Sequence, residues 1–190
     1  MPLTETMDRP VAFRLFFFAL ALSAAFSFGF FVDAWLSPVS LDSAFVQPVF
    51  SPGQSEPALL QLIGSAQNSL DVMLYQFSYT PLQDALVAAQ RRGVAVRLIL
   101  DPKLKSNLFT AENLARFGIQ VRWANRAFAS THAKFLIADG QSVFVGSTNW
   151  SRHAMQLNRE AAVVIQNPKI AGSFESIFES DWSLASPWTA

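Results

Sequence analysis

From residue 44 onward, apolar residues fall into short runs divided by polar, glycine and proline punctuation, and the runs alternate between strand and helix periods. Segment 44–50 reads as a strand, and Ser51-Pro52-Gly53 turns the chain. Ser55 then caps a helix with Pro57 in its first turn and Leu59, Leu60, Leu62, Ile63 and Ala66 on one face. A strand over 70–77 follows. Thr80 caps the next helix, with Pro81 at its first position, Leu82, Ala85, Leu86 and Ala89 as its stripe, and Gly93 closing it before a strand over 94–100. Strand, helix and strand in that order predict two parallel neighbours. Thr110 starts a short helix ending at Gly118, and a strand over 119–123 leads to a hairpin of 135–138 and 143–145 around Asp139-Gly140. A strand over 161–166 and a helix opened by Asn167-Pro168, with Ile170, Phe174, Ile177 and Phe178 at helical spacing, complete the pattern. The expectation is an α/β domain over 44–185, built on a mixed, mostly parallel sheet with helices on both faces.

Before that domain, 15–32 is an 18-residue run without a charge, long enough as a helix to span roughly 27 Å. Arg9 and Arg14 flank its start, and Asp33 and Asp42 follow its end. The positive-inside tendency then leaves 1–14 in the cytoplasm and the folded domain on the other side. A secretory signal has an apolar region of only about 7 to 15 residues, which favours a retained N-terminal hydrophobic helix as a membrane anchor. Ser23-Ala24-Ala25 and Val32-Asp33-Ala34 supply small-residue cleavage sites for the alternative, a removed signal and a secreted or periplasmic protein. Residues 33–43 read as a linker.

Chemistry concentrates in the hairpin. His132 and Lys134 are two apart, so at the entry to a strand they point to one face. The turn at Asp139-Gly140 returns the chain so that Gly146-Ser147-Thr148-Asn149 comes back to the same end. An imidazole titrates near 6.5 and can attack or move a proton at neutral pH. Lys134, Ser147 and Asn149 supply donors for oxygens that gain charge in phosphoryl transfer. The grouping suits a phosphodiester and demands no metal. The chain has no cysteine, and its two histidines form no metal-ligand motif. His153 reads as a bystander.

These residues fall on H-x-K-x4-D-x6-G-[SG]-x-N, and the chain is identified as a member of the phospholipase D superfamily by His132, Lys134, Asp139, Gly146, Ser147 and Asn149. The resemblance runs through about 45–182 and includes Tyr75-Gln76-Phe77-Ser78, Arg92-Gly93-Val94 and Asn158-x-Glu160. Only one copy of the motif is present. That resembles the branch of small bacterial endonucleases and mitochondrial Zucchini-type enzymes, where a homodimer supplies the second copy. The absence of cysteine, and so of a Cys/His zinc insertion, makes the bacterial group the nearer match. The resemblance implies that one His132 attacks phosphorus and the partner's serves as acid and base, with no cofactor. It also implies that Lys134, Asn149 and Ser147 hold phosphate oxygens, that Glu160 orients the imidazole, and that Asp139 and Gly146 are structural.

Net charge is zero, yet 91–159 holds eleven basic residues against Asp101, Glu112 and Asp139. That asymmetry favours a polyanion. Arg122, Trp123, Arg126 and Arg152 are candidate nucleic-acid contacts, with Trp123 and Phe128 placed to stack on bases or to form an apolar rim for acyl chains. The expected activity is a metal-independent, non-specific endonuclease. A phospholipid hydrolase or phosphatidyl transferase is the alternative within enzymes, and a membrane-anchored nucleic-acid-binding protein the alternative outside them.

Overall fold

The computed structural model describes residues 44–189, and the expected anchor over 15–32, with its flanks, lies outside the described residues. Among the described residues no helix is long and apolar enough to cross a membrane. The chain runs β1 (Phe45–Ser51), α1 (Ser55–Ser65), β2 (Ser69–Leu74), α2 (Thr80–Arg91), β3 (Ala95–Leu100), α3 (Lys105–Ala115), β4 (Gln120–Trp123), β5 (Lys134–Ala138), β6 (Ser142–Gly146), α4 (Arg152–Gln156), β7 (Glu160–Gln166), α5 (Pro168–Leu184) and β8 (Ser186–Pro187). The strands form one sheet in the order β1-β7-β6-β5-β2-β3-β4-β8.

The sheet is mixed, but the expectation of a mostly parallel one is corrected. Only β2 with β3 and β3 with β4 pair in parallel, and the other five neighbours are antiparallel. The reason is connection length. Parallel pairing needs a crossover, and only α2 and α3 bridge sheet neighbours as crossovers. The three residues Asp139, Gly140 and Gln141 turn β5 straight into β6, with Asp139 and Gly140 both at positive φ.

Alternation along the strands divides the core in two. Leu70, Val72 and Leu74 of β2, Val96 and Leu98 of β3, and Leu136 of β5 face Leu59 and Ile63 of α1, Leu82 and Leu86 of α2, and Leu114 of α3. The intervening Met73, Ile99, Phe135 and Ile137 face Ala171, Phe178 and Trp182 of α5. Helices therefore cover both faces, as the pattern predicts. Each fully buried Leu or Phe contributes roughly 2 kcal/mol of transfer free energy. Asp71 breaks the apolar series on the α5 face and is buried, but Arg97 pairs with it at 2.7 Å and also reaches Glu179.

The bounds of two elements shift from the sequence pattern for one reason, while α4 and β8 are additions to it and Ser55 and Thr80 open their helices rather than cap them. α3 begins at Lys105 rather than Thr110 because its inward stripe is Asn107, Thr110, Ala111 and Leu114, in which two polar residues hide the helical period. β2 ends at Leu74 rather than at 77 because those polar side chains take over the backbone beyond it. Asn107 accepts from Phe77 N and donates to the carbonyls of Tyr75 and Asp101, and Thr110 Oγ1 donates to Phe77 O. β8 pairs with β4 just past the expected end of the domain.

Candidate active site

The C-terminal ends of β2 and β6 and the N-terminal ends of β5 and β7 meet at one edge of the sheet. Leu74 is in register with Lys134, Tyr75 N donates to Ala133 O at 3.0 Å, and Ser147 N donates to Ala161 O at 2.9 Å. His132 is exposed there, two residues before β5 begins. Its ring packs against Tyr75 with centroids 4.4 Å apart and planes inclined by 48°. Lys134 lies beneath it, only 6% exposed. Its Nζ is 3.1 Å from His132 Nδ1 and donates to the His132 carbonyl at 2.7 Å. The same Nζ stands 5.4 Å from the Tyr75 ring centroid, within cation–π range. Burial holds the Lys134 ammonium below the ordinary lysine pKa, and the charge of Glu160 offsets only part of that shift. With Nδ1 facing Lys134, His132 Nε2 is left without a partner among the described residues.

Tyr75 is the residue at this site that motif spacing misses. Its signal is positional, since it follows the last residue of a central strand at the carboxyl edge where open α/β sheets place their ligands.

Ser147 and Asn149 arrive at the same edge by a clamp. Trp150, fully buried, donates its N–H to Gln76 O and accepts from Ser78 N and Tyr79 N through its carbonyl. Its ring meets Phe77 edge-on at 5.0 Å. This fixes the residue after Asn149 to the loop after Tyr75. Asn149 Oδ1 is buried and receives no donor among the described residues; as an acceptor it cannot serve a phosphate oxygen, a task that falls to the amide Nδ2. Gly146 permits the close approach of β6 to β7, because a Cβ there would stand 2.4 Å from Ala161 O and 2.5 Å from Ala162 Cα. Glu160 accepts from Ser147 Oγ at 2.5 Å and from Asn158 Nδ2 at 3.1 Å. The resemblance implies that Glu160 orients the imidazole; within the chain no hydrogen bond joins Glu160 to the His132 ring among the described residues. The two Glu160 carboxylate oxygens accept from Ser147 and Asn158, and its charge raises the Lys134 pKa against the effect of burial.

Asp139 follows the far end of β5, five residues or roughly 17 Å along an extended chain from Lys134. Its carboxylate accepts from Gln67 N, Asn68 N and Ser69 N at 2.7 to 2.9 Å. Burial alone would raise its pKa, but those three donors more than reverse this and hold it below the usual carboxylate value. Asp101 performs a similar service near the histidine. It is buried at the end of β3, accepts from Lys103 N and Thr131 N at 2.8 Å each, and so anchors the residue before His132. Among the described residues no three His, Asp or Glu side chains converge as a metal-ligand set.

An exposed histidine on a lysine, with an amide and a serine–glutamate pair at one sheet edge, is the placement the motif calls for. Residues 59–182 match the family model described as cardiolipin synthase, PLD-like domain. The chain belongs to the single-motif branch of the phospholipase D superfamily. The mitochondrial cardiolipin hydrolase of Chlamydomonas reinhardtii is 31% identical over 126 residues, which cover 66% of this chain and 56% of that protein. The human protein of the same name is 33% identical over 130 residues, 68% of this chain and 51% of the other. The chain thus spans little more than half the length of these curated relatives. Among solved structures, the phospholipase D family member Nuc from Salmonella typhimurium superposes with a TM-score of 0.74 at 33% identity, covering 78% of this chain and 100% of Nuc.

The basic segment of this phospholipase D family member does not gather at the site. Arg97 is paired with Asp71 and Glu179, Arg116 with Glu112, and Arg92 and Arg159 donate to the carbonyls of Ile63 and Ser51. Arg122 donates to Trp182 O at 2.7 Å and lies over the Trp182 ring, while Trp123 is half-buried against the first core. Both are occupied in packing. Arg126 is exposed in the loop leading to His132, and Arg152 is exposed on α4, where its Nε donates to Gln156. His153, the neighbour of Arg152, is exposed on the same short helix.

Proposed function

We propose that the protein is a phosphodiesterase that cleaves nucleic acid through a phosphohistidine intermediate, without a cofactor, in a site completed by a second copy of the chain. His132 Nε2 forms a bond to phosphorus as the P–O bond to the leaving nucleotide oxygen breaks, and the partner's imidazole gives that oxygen its proton. The same imidazole then takes a proton from water, whose oxygen displaces His132 and regenerates it. Lys134, freed from the His132 ring when an anion arrives, offsets the charge of the phosphate oxygens and Asn149 Nδ2 donates to them, with Ser147 held in place by Glu160. The observation that carries this reading is the exposed His132 ring, whose Nε2 meets no partner among the described residues; a donor at Nδ1 keeps the ring proton on Nε2, so Lys134 turns from Nδ1 to the phosphate before Nε2 attacks. A tether over 15–32 with the domain outside the cytoplasm is part of the same proposal.

Phospholipid cleavage is the second reading. It is favoured by the names of the curated relatives and by the exposure of Leu108, Phe109 and Phe128, at 50%, 73% and 57%. The test is to incubate the purified full chain, in EDTA, with plasmid, single-stranded DNA, RNA or cardiolipin vesicles. Nucleic-acid cleavage that survives EDTA and disappears in His132→Ala supports the first reading. Lipid products alone support the second, and retention of DNA without products points to a binding protein.

A further inference from the structure

Helix α3 carries its polarity in reverse. Its inward stripe contains Asn107 and Thr110, which hold the loops beside the site, while its outer face shows Leu108 and Phe109 between Lys105 and Glu112. A surface helix ordinarily turns its apolar stripe to the core and its polar residues to water. Among the described residues no large apolar side chain is more exposed than Phe109. The face extends beyond the helix. Exposed Leu184 lines one cleft with Leu108 and Pro102, and Trp188 lines another with Leu108 and Thr189.

The charge around this face is positive. Lys103 and Lys105 are exposed at its edge, Glu112 is matched by Arg116, and Asp101 is buried with both carboxylate oxygens on backbone N–H groups. Leu108, Phe109 and Leu184 together expose roughly 400 Å² of side chain, the size at which an apolar patch marks an interaction site. A subunit of a stable dimer buries roughly 800 Å², so a second copy is poorly matched. An anionic bilayer suits the face better. Leu and Phe enter the acyl boundary, half-buried Trp188 sits at headgroup level, and the lysines meet lipid phosphates. The uncharged run 15–32 belongs to the same chain, and the linker 33–43 reaches at most roughly 40 Å. Once that run is inserted, a membrane is within range of the domain.

We propose that the outer face of α3, with Leu184 and Trp188, docks on the surface of an anionic bilayer. The proposal rests on the tether proposed above and holds for nucleic acid or phospholipid as substrate, because none of these side chains belongs to the reacting set. Docking grips the helix whose inner side holds the backbone of Tyr75, Phe77 and Asp101, so it also fixes the reacting edge relative to the membrane.

The chain has no cysteine, which allows a single label to be placed at will. Ser186→Cys, beside Leu108 and Leu184, reports the face, and Ser173→Cys, on α5 across the sheet, is the control. Each full chain, carrying His132→Ala so that no lipid is consumed, is reconstituted into phosphatidylcholine vesicles with or without phosphatidylglycerol. With the anionic lipid, quenching by spin-labelled lipid is expected to place the Ser186→Cys label roughly 5 to 10 Å into the interface, shielded from aqueous iodide. The Ser173→Cys label stays in water. Leu108→Ser with Phe109→Ser returns the first label to water and, with His132 intact, leaves thermal stability and hydrolysis of bis(p-nitrophenyl) phosphate unchanged. Lys103→Gln and Lys105→Gln each lower the docked-to-free ratio about five-fold.

A Ser186→Cys label that stays in water with both lipids, or is shielded equally in the double serine variant, overturns the proposal. Shielding that grows with protein density at fixed lipid does the same, because it marks a second copy. If carbonate washes the chain from the vesicles, the tether reading fails by itself. Docking is then read by sedimenting the soluble chain with the same vesicles, where retention lost in the double serine variant supports the face, and retention absent or indifferent to it rejects the face.

Discussion

His132 is held by what surrounds its Nδ1, and its Nε2 faces outward without a partner among the described residues. Lys134 occupies Nδ1 and the histidine's own carbonyl, and Tyr75 supports the ring from the side. An aromatic pair of this kind holds orientation at about 1 kcal/mol, enough to bias a ring that must meet phosphorus in line. Tyr75→Ala is expected to lower kcat about ten-fold with KM little changed, and Tyr75→Phe, which retains the ring, to keep most of the rate; steady-state kinetics on a small diester measures both. At Gly146 the constraint is space. Gly146→Ala pushes a methyl group into the backbone of β7, and a loss of about 3 kcal/mol in urea unfolding is expected, together with displacement of Ser147 and Asn149.

Elements place these residues through side chains remote from the reaction. Asp139 ties the β5–β6 turn to the residues that open β2, so the hairpin carrying the motif cannot slide along its neighbour. Its folded pKa is below the unfolded one. Its stabilisation is therefore complete above the ordinary carboxylate range and is lost as pH falls through the folded value. Asp139→Ala is expected to cost about 2 kcal/mol at neutral pH, and denaturant melts across a pH series should show the gap from wild type closing in acid. At the site end, Asn107 of α3 holds three backbone groups of the loops after β2 and β3. A buried polar side chain there specifies the path of the chain past Tyr75.

For the whole molecule, one motif per chain supplies one imidazole, while displacement and hydrolysis at phosphorus call for a nucleophile and a separate proton donor. The exposure of His132 at a sheet edge leaves it accessible to a second copy. Co-refolding wild type with an excess of His132→Ala chains tests the shared site. Activity per wild-type chain is expected to fall in proportion to its fraction, and total activity with the square of that fraction, if both imidazoles are needed, whereas an independent site gives a constant value per wild-type chain. The segment's charge of plus eight is a different matter at this scale, because the fold spends much of it on ion pairs, carbonyls and rings.

How much was legible follows from whether a signal is local. His132, Lys134, Asp139, Gly146, Ser147 and Asn149 are a spacing along one hairpin, and the hairpin turn is written in Asp139-Gly140, so family, strand alternation and the two-sided core could be read directly from the chain. The start of α3 could not, because Asn107 and Thr110 take inward positions for the sake of a loop some thirty residues earlier. Nor could the sheet's mainly antiparallel pairing, the engagement of Glu160 with Ser147, the support of Tyr75 or the commitment of Arg122 to Trp182. Each joins residues far apart in sequence, and a pattern read along one segment holds no record of which distant partner reaches a polar group first.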